Sequence, residues 1–143
     1  MSGILLDTNV ISELIKPTPE PVVVEWIGNQ SVKDLYLSAI TIGELTRGVS
    51  RLPESRKRKH LDQWVTSTLP RQFEGRILPF DHNAAVIWGN IMGNGDRNGC
   101  PRSAADAQIA ATALRNNVAL ATRNTSDFEG IGLLLINPWL ILK

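Results

Sequence analysis

The sequence contains few of the features that mark secreted, disulfide-bonded or membrane proteins. Cys100 is the single cysteine among 143 residues, which excludes a disulfide within the chain and a metal cage built from cysteines. No run reaches the roughly 18 apolar residues that a membrane-spanning helix needs. In the absence of disulfides and of a recognisable signal peptide, we expect a protein of the reducing cytoplasm that does not enter a membrane.

Charge of either sign is also scarce. The formal net charge is +1, which argues against a protein that coats nucleic acid with a strongly basic surface. It leaves open an enzyme that acts on nucleic acid through a local patch. Hydrophobic residues make up 43% of the chain, enough to form the core of one domain spanning residues 1–143.

Short apolar segments alternate with segments of helical character. Strands are expected at 4–6, 34–39, 75–80, 118–122 and 133–137. Helices are expected at 8–16, 22–30, 42–52, 54–73, 83–92 and 104–116, with flexible loops at 93–102 and 123–132. Thr8 or Asn9, Thr41 and Ser103 are the expected helix caps. This alternation predicts an α/β sandwich with a mainly parallel five-stranded sheet flanked by helices.

Acidic or amide side chains follow the strands at matching places. Asp7 directly follows the first strand, and Glu44 lies in the first turns of the helix after the second. Asp106 lies one turn into the alanine-rich helix, and Asn124 follows the fourth strand. The carboxyl ends of parallel strands share one edge of a sheet, where ligands of open α/β sheets bind. We therefore expect these side chains to converge.

Each of these acids, taken alone, has a structural explanation. Asp7 suits a helix cap, and Glu44 and Asp106 suit the positive end of a helix dipole. A cluster of all three acids needs a further explanation, because two carboxylates about 5 Å apart repel by roughly 3 kcal/mol at an effective dielectric near 20. A divalent cation offsets this repulsion, and a site of oxygen ligands favours Mg²⁺ or Mn²⁺. Such an ion suits phosphate chemistry.

Four segments, in this order, resemble the motifs of the PIN-domain family, and in particular the VapC- and FitB-type toxins of bacterial toxin–antitoxin pairs. They are "LLDTNVISEL", "SAITIGELTRG", "AADAQIAATAL" and "LATRNTSDFEGIG". The resemblance covers almost the whole chain. It implies a PIN-like α/β/α domain and an endoribonuclease that depends on Mg²⁺ or Mn²⁺ and hydrolyses RNA phosphodiester bonds with metal-activated water.

By this resemblance, Asp7, Glu44 and Asp106 match the three acids that hold the metal, and Glu44 positions or deprotonates the water. Asn124 occupies the fourth position, where the fully acidic form of the motif has a carboxylate. Either Asn124 or Asp127 is the expected fourth site residue, and the missing charge favours one ion over two. The residues expected to orient the outer part of the site are Thr122, Asn9 and Asp127.

The same resemblance implies an RNA substrate, a homodimer and a cognate antitoxin that resembles VapB or FitA, with DNA bound only through the antitoxin. The chain's one basic cluster is either a solvated helix face or a surface that steers RNA; it contains Arg51, Arg56, Lys57, Arg58 and Lys59. A PIN fold that binds partners without cleaving RNA is the alternative. A phosphoaspartyl enzyme is disfavoured because Asn9 stands where one such family has a second aspartate.

Overall fold

Five short parallel strands form the centre of the protein. The structure is a computed structural model and describes residues 3–141. The strands are β1 (Ile4–Leu6), β2 (Leu35–Ser38), β3 (Ile77–Leu78), β4 (Ala119–Ala121) and β5 (Leu135–Ile136). They lie in the order β3-β2-β1-β4-β5, and all neighbouring pairs are parallel. The predicted α/β architecture with a parallel five-stranded sheet is confirmed.

Helices connect the strands and cover both faces of the sheet. They are α1 (Thr8–Leu14), α2 (Pro21–Gly28), α3 (Ala39–Ser50), α4 (Arg56–Gln63), α5 (Leu69–Gln72), α6 (His82–Arg97) and α7 (Ala104–Arg115). Short 3₁₀ turns occupy Val32–Asp34, Thr125–Phe128 and Pro138–Leu140. A wide helical turn, Trp64–Thr68, joins α4 to α5.

The strand order creates a switch point beside β1. The chain moves outward from β1 through β2 to β3, then returns to the other side of β1 for β4 and β5. The connections on the two sides of β1 therefore diverge, which opens a crevice at the carboxyl ends of β1 and β4. Asp7 follows β1 and Asn124 follows β4, so both lie at this crevice.

Adjacent residues of β1 supply the two halves of the core. Successive side chains of a strand point to opposite faces, and Leu5 and Leu6 enter separate buried clusters. Leu6 packs in a cluster with Val10 and Trp26, whereas Leu5 packs in a cluster with Ile109. The alanines of α7 are small enough to let this helix approach the sheet closely, and they are fully buried at positions 107, 110, 111 and 113.

Two helix caps differ from the sequence-based expectation. Asp7, and not Thr8 or Asn9, caps α1, because its Oδ1 accepts a hydrogen bond from the Thr8 amide at 2.8 Å. Ser38, and not Thr41, caps α3 by accepting from the Ile40 amide at 3.0 Å. Both helices begin directly after their strands, so the last extended residue serves as the cap. Ser103 caps α7 as expected.

The stretch 93–102, expected to be a flexible loop, is helical in its first half because α6 continues to Arg97. Gly95 lets the chain that follows α6 pack directly against this helix. A Cβ atom at Gly95 would lie 2.6 Å from the Cys100 carbonyl oxygen, so the returning chain packs against the bare backbone. Gly99, with φ of +68°, then reverses the chain.

Smaller differences concern the lengths of elements. The expected strand at 75–80 is reduced to β3, because Asp81 already caps α6. The expected loop at 123–132 contains the Thr125–Phe128 turn, which inserts Phe128 into the core with 1% of its surface exposed. Within residues 3–141, no helix is both long enough and apolar enough to cross a membrane.

Candidate active site

Asp7 is a buried carboxylate at the centre of the sheet edge. Its backbone amide continues the β1–β4 pairing by donating to the Ala121 carbonyl at 2.9 Å. The residue is 5% exposed. Its Oδ1 accepts from the Thr8 amide, and its Oδ2 accepts from the Thr122 hydroxyl at 2.7 Å. A carboxylate that is buried at this depth requires such partners.

Burial raises the pKa of Asp7 to about 6. The hydrogen bonds from Thr122 and Thr8 oppose this rise, and the negative charges of Asp106 and Glu44 add to it. The carboxylate is therefore held in an environment that favours its neutral form. A cation bound beside Asp7 would lower its pKa and favour the ionised form.

Asp106 faces the same region from the first turn of α7. The Ser103 hydroxyl accepts from the Asp106 amide at 3.3 Å, which fixes the start of the helix. The side chain is partly buried. Burial raises its pKa, and the charges of Asp127 and Glu44 raise it further. Carboxylates on other elements, Asp127 and Glu44, thus destabilise the charged form of Asp106.

Glu44 is held in place by Thr8. The Thr8 hydroxyl donates to Glu44 Oε1 at 2.6 Å, and it lies 3.0 Å from the Thr41 hydroxyl. Because a hydroxyl has one proton, Thr41 is the donor to Thr8 in this chain of bonds. Thr8 was missed as a partner of Glu44 in the sequence; its position next to Asp7, at the start of α1, is the signal that points to it.

Thr122 connects Asp7 to the loop after β4. Its hydroxyl oxygen accepts from the Asn124 amide at 3.1 Å and from Asn9 Nδ2 at 3.3 Å. Asn9 Nδ2 also lies 3.4 Å from Asp7 Oδ2. Asn9 Oδ1 accepts from the Arg123 amide at 3.3 Å. Thr122 and Asn9 thus fix the orientation of Asp7 and the path of the loop.

These side chains surround a cleft of about 410 Å³. It is lined by Asp7, Thr8, Asn9, Ser12, Glu13, Lys16, Glu44, Asp106, Arg123, Asn124 and Trp139. The structure thus brings together Asp7, Glu44, Asp106, Asn124 and Asn9, with Thr122 bonded beneath them. Ser12, Glu13, Lys16 and Trp139 were missed, because their arrival here depends on how α1 and the C-terminal tail pack.

Two groups of predicted site residues lie outside the cleft. Asp127 is exposed on the turn after β4 and acts on Asp106 through its charge. The basic cluster lies on the end of α3, the following loop and α4. None of its members lines the cleft; they are Arg51, Arg56, Lys57, Arg58 and Lys59.

The donor set of the cleft fits a hard divalent ion. Within residues 3–141, no three His, Cys, Asp or Glu side chains stand close enough to enclose a metal unaided. Mg²⁺ does not need such a cage, because it commonly uses one or two carboxylates and keeps several waters. Burial raises the pKa of Asp7 and of Asp106, and neighbouring negative charges raise both further. A bound cation would favour the ionised forms of both carboxylates.

The family is decided by a match that covers most of the chain. The family model described as "PIN domain" matches residues 4–132, a range that contains all of the acids in the cleft. The chain belongs to the PIN-domain family. The resemblance that the four sequence motifs indicate is thereby confirmed.

Individual PIN-domain relatives are similar to this chain over nearly their full length. "VapC ribonuclease Y4jK" of Sinorhizobium fredii is 42% identical over 95% of this chain and 97% of its own. "Toxin FitB" of Neisseria gonorrhoeae is 42% identical over 95% and 98%. The solved structure "FitAB bound to IR36 DNA fragment" matches with a TM-score of 0.90 at 40% identity, covering 98% of both chains. This PIN domain therefore has VapC- and FitB-type toxins as close relatives.

Proposed function

We propose that this protein is the ribonuclease toxin of a toxin–antitoxin pair and that it hydrolyses RNA phosphodiester bonds with the help of Mg²⁺ or Mn²⁺. The observation that carries the proposal is the meeting of Asp7, Glu44 and Asp106 in one cleft at the switch point of the sheet. The names of the relatives, a VapC ribonuclease and a FitB toxin, support the same activity.

In this proposal Asp7 and Asp106 hold the ion and Glu44 acts beside it. The ion, when bound, supplies positive charge that acidifies water and stabilises charge on the phosphate. The Glu44 carboxylate, oriented by Thr8, accepts a proton from the attacking water. The water oxygen forms a bond to phosphorus as the opposite P–O bond breaks in line, and the departing oxygen takes a proton from solvent water and leaves as a hydroxyl group. Thr122 and Asn9 keep Asp7 aligned throughout.

Asn124 gives this cleft one negative charge fewer than a fully acidic site. Its amide oxygen can accept a hydrogen bond from a water in the cleft but adds no charge. Asp127 supplies charge from outside the cleft. We propose that Asn124 is the fourth site residue, that Asp127 contributes only through its field, and that one ion is held tightly without RNA.

The proposed partners follow from the relatives. A solved relative is FitAB bound to a DNA fragment, which supports a complex in which an antitoxin of the VapB or FitA kind contacts DNA. We further propose a homodimer and a cytoplasmic location. Most side chains of the basic cluster, which lies just after α3 and on α4, are exposed. We propose that this surface steers RNA from outside the cleft.

The test is RNA cleavage by purified protein with Mg²⁺ or Mn²⁺ and with EDTA. The wild-type protein is expected to cleave RNA only with the metal, and Asp106→Asn is expected to lose at least about 100-fold in rate. Asp62→Asn is the matched control, because Asp62 is exposed on α4 and lies outside the cleft. If the folded wild-type protein cleaves no RNA with either metal, the alternative of a binding protein without activity is favoured.

A further inference from the structure

The cleft that contains the acids is also lined by positive charge. Lys16 and Arg123 line the same cleft as Asp7, Glu44 and Asp106. Neither cation forms an ion pair within 4.0 Å with these three acids in the described part of the chain; Lys16 pairs instead with Glu13. The cleft therefore has both acidic and basic lining residues, and Lys16 and Arg123 are here called its basic wall. An acidic cleft repels the phosphates of RNA, and nearby cations offset this repulsion by binding them.

Glu13 is a buried carboxylate that organises the basic wall. The residue is 5% exposed, and it accepts hydrogen bonds from Lys16 Nζ at 2.8 Å and from the Glu20 amide at 2.9 Å. The bond from Lys16 lowers the pKa of Glu13, and the charge of Arg123 lowers it further. An ionised Glu13 thus anchors Lys16 beside the cleft and attracts Arg123.

Arg123 is held through both its side chain and its backbone. Its guanidinium lies 5.1 Å from the centre of the Trp139 ring, within the range of a cation–π contact. Its backbone carbonyl accepts from Asn137 Nδ2 at 3.3 Å, and Asn137 Oδ1 accepts from the Trp139 amide at 2.9 Å. The loop after β4 and the C-terminal tail therefore fix where Arg123 stands, while its side chain stays exposed.

We propose that Lys16 and Arg123 form a phosphate-binding wall that holds an RNA phosphate next to the one that is cleaved, with Glu13 and Trp139 positioning the two cations. The inference rests on the proposed ribonuclease function and names how that site holds its substrate. Glu13 offsets one of the two positive charges, so the wall carries a net charge of about +1. The basic cluster on α4 lies outside the cleft and has a separate role.

The experiment measures how RNA binding depends on salt. A fluorescein-labelled single-stranded oligoribonucleotide of mixed sequence is titrated into Asp106→Asn protein, which does not cleave it, between about 50 and 200 mM salt. Each phosphate contact to single-stranded nucleic acid contributes about 0.7 to the slope of log affinity against log salt. Because the two cations hold one phosphate, Lys16→Gln with Arg123→Gln is expected to reduce the slope by about 0.7. Arg123→Gln alone is expected to account for most of that reduction, because Glu13 already offsets the charge of Lys16.

Two further double variants control for net charge and for structure. Lys16→Arg with Arg123→Lys keeps both charges and is expected to restore the slope. Lys33→Gln with Arg71→Gln removes two exposed charges at the edge of the sheet away from the cleft. This double variant is expected to leave the salt slope unchanged. In protein with Asp106 intact, Arg123→Gln is expected to raise KM more than it lowers kcat. Arg123→Gln alone serves if loss of Lys16 unfolds the protein around Glu13.

An unchanged slope in Arg123→Gln overturns the proposal, and so does an equal loss in the Lys33 and Arg71 control. A loss confined to Lys57→Gln with Lys59→Gln also overturns it, because the phosphate contacts then lie on α4. Failure of the proposed function gives a different result, because the slope would still depend on Arg123 while wild-type protein cleaved nothing. Absence of RNA binding by the Asp106→Asn protein contradicts both proposals.

Discussion

The Thr122 hydroxyl donates a hydrogen bond to Asp7 Oδ2 at 2.7 Å, and this bond joins the ends of the neighbouring strands β1 and β4 beneath the cleft. Both residues are buried. The same hydroxyl oxygen accepts from the Asn9 side chain and the Asn124 amide. One threonine therefore sets the orientation of the central acid and of the loop that follows β4.

Thr122→Val is expected to raise the pKa of Asp7 above its value of about 6, because the bond from Thr122 is the largest contribution that lowers it. It also removes the acceptor of the Asn124 amide and one of the two acceptors of Asn9 Nδ2. The lost hydrogen bonds together cost about 1–3 kcal/mol of unfolding free energy. The pKa is measured by NMR titration of the Asp7 carboxyl carbon in metal-free protein.

Thr112→Val is the matched control for Thr122→Val. Thr112 is equally buried, and its hydroxyl donates to the Gln108 carbonyl within α7. This variant is expected to leave the pKa of Asp7 unchanged. An equal pKa change in both variants would show that the hydrogen bond from Thr122 is not what restrains Asp7.

Thr8→Val is expected to lower the rate of RNA cleavage by about 10- to 100-fold with little change in KM, because Glu44 loses the donor that orients it. Thr8→Ser keeps the hydroxyl and is expected to recover most of the rate. Thr46→Val is the control, because it removes a hydroxyl from α3, the helix that carries Glu44. This hydroxyl donates to the Ile42 carbonyl, and its loss is expected to leave the cleavage rate unchanged. A wild-type rate in Thr8→Val would exclude Glu44 positioning by Thr8.

Asp106→Asn is expected to stabilise the metal-free protein at neutral pH. The pKa of Asp106 is raised in the folded protein above its ordinary value of 3.8, so its ionised form destabilises the fold. That destabilisation is present above the folded pKa and is relieved as the pH falls through it. The variant should therefore raise Tm by about 1–2 °C at neutral pH and by less near pH 4.

Calorimetry with and without Mg²⁺ tests this expectation for Asp106. Mg²⁺ is expected to raise the Tm of wild-type protein, because an ion that binds only the folded state stabilises it, and to raise that of the variant less. A lower Tm for metal-free Asp106→Asn at neutral pH would contradict the inference that burial and neighbouring negative charges make the ionised form of Asp106 unfavourable.

Gly95→Ala tests the packing that extends α6. The added methyl group would meet the Cys100 carbonyl oxygen at 2.6 Å, so we expect a loss of about 1–3 kcal/mol in unfolding free energy. Gly93 lies on the same helix with open space around it, and Gly93→Ala is expected to stabilise by up to about 1 kcal/mol. Urea unfolding of both variants measures the difference; equal effects would contradict the close approach at Gly95.

The positions of the acids were predictable because they depend on topology alone. Asp7 and Asn124 follow the carboxyl ends of the parallel strands β1 and β4, and α3, which carries Glu44, begins where β2 ends. Because α7 leads back to the start of β4, its first turn with Asp106 lies at the same edge of the sheet. Helix caps were less predictable, because Asp7 and Ser38 act as caps through the reach of individual oxygen atoms. The basic wall was not predictable from local sequence. Lys16 reaches the cleft through Glu13, and Trp139 reaches it through the path of the tail.

The central claim is that water, activated at the acidic wall, cleaves RNA with the help of a divalent ion. The most direct measurement is cleavage of RNA in ¹⁸O-labelled water, followed by mass spectrometry of the product ends. We predict that each cleavage produces one end with a phosphate that contains one ¹⁸O atom and one end with an unlabelled hydroxyl group. This product is expected with Mg²⁺ or Mn²⁺ and without EDTA, and it is not expected from Asp7→Asn. Unlabelled 2′,3′-cyclic phosphate ends, or cleavage that persists in EDTA, would contradict it.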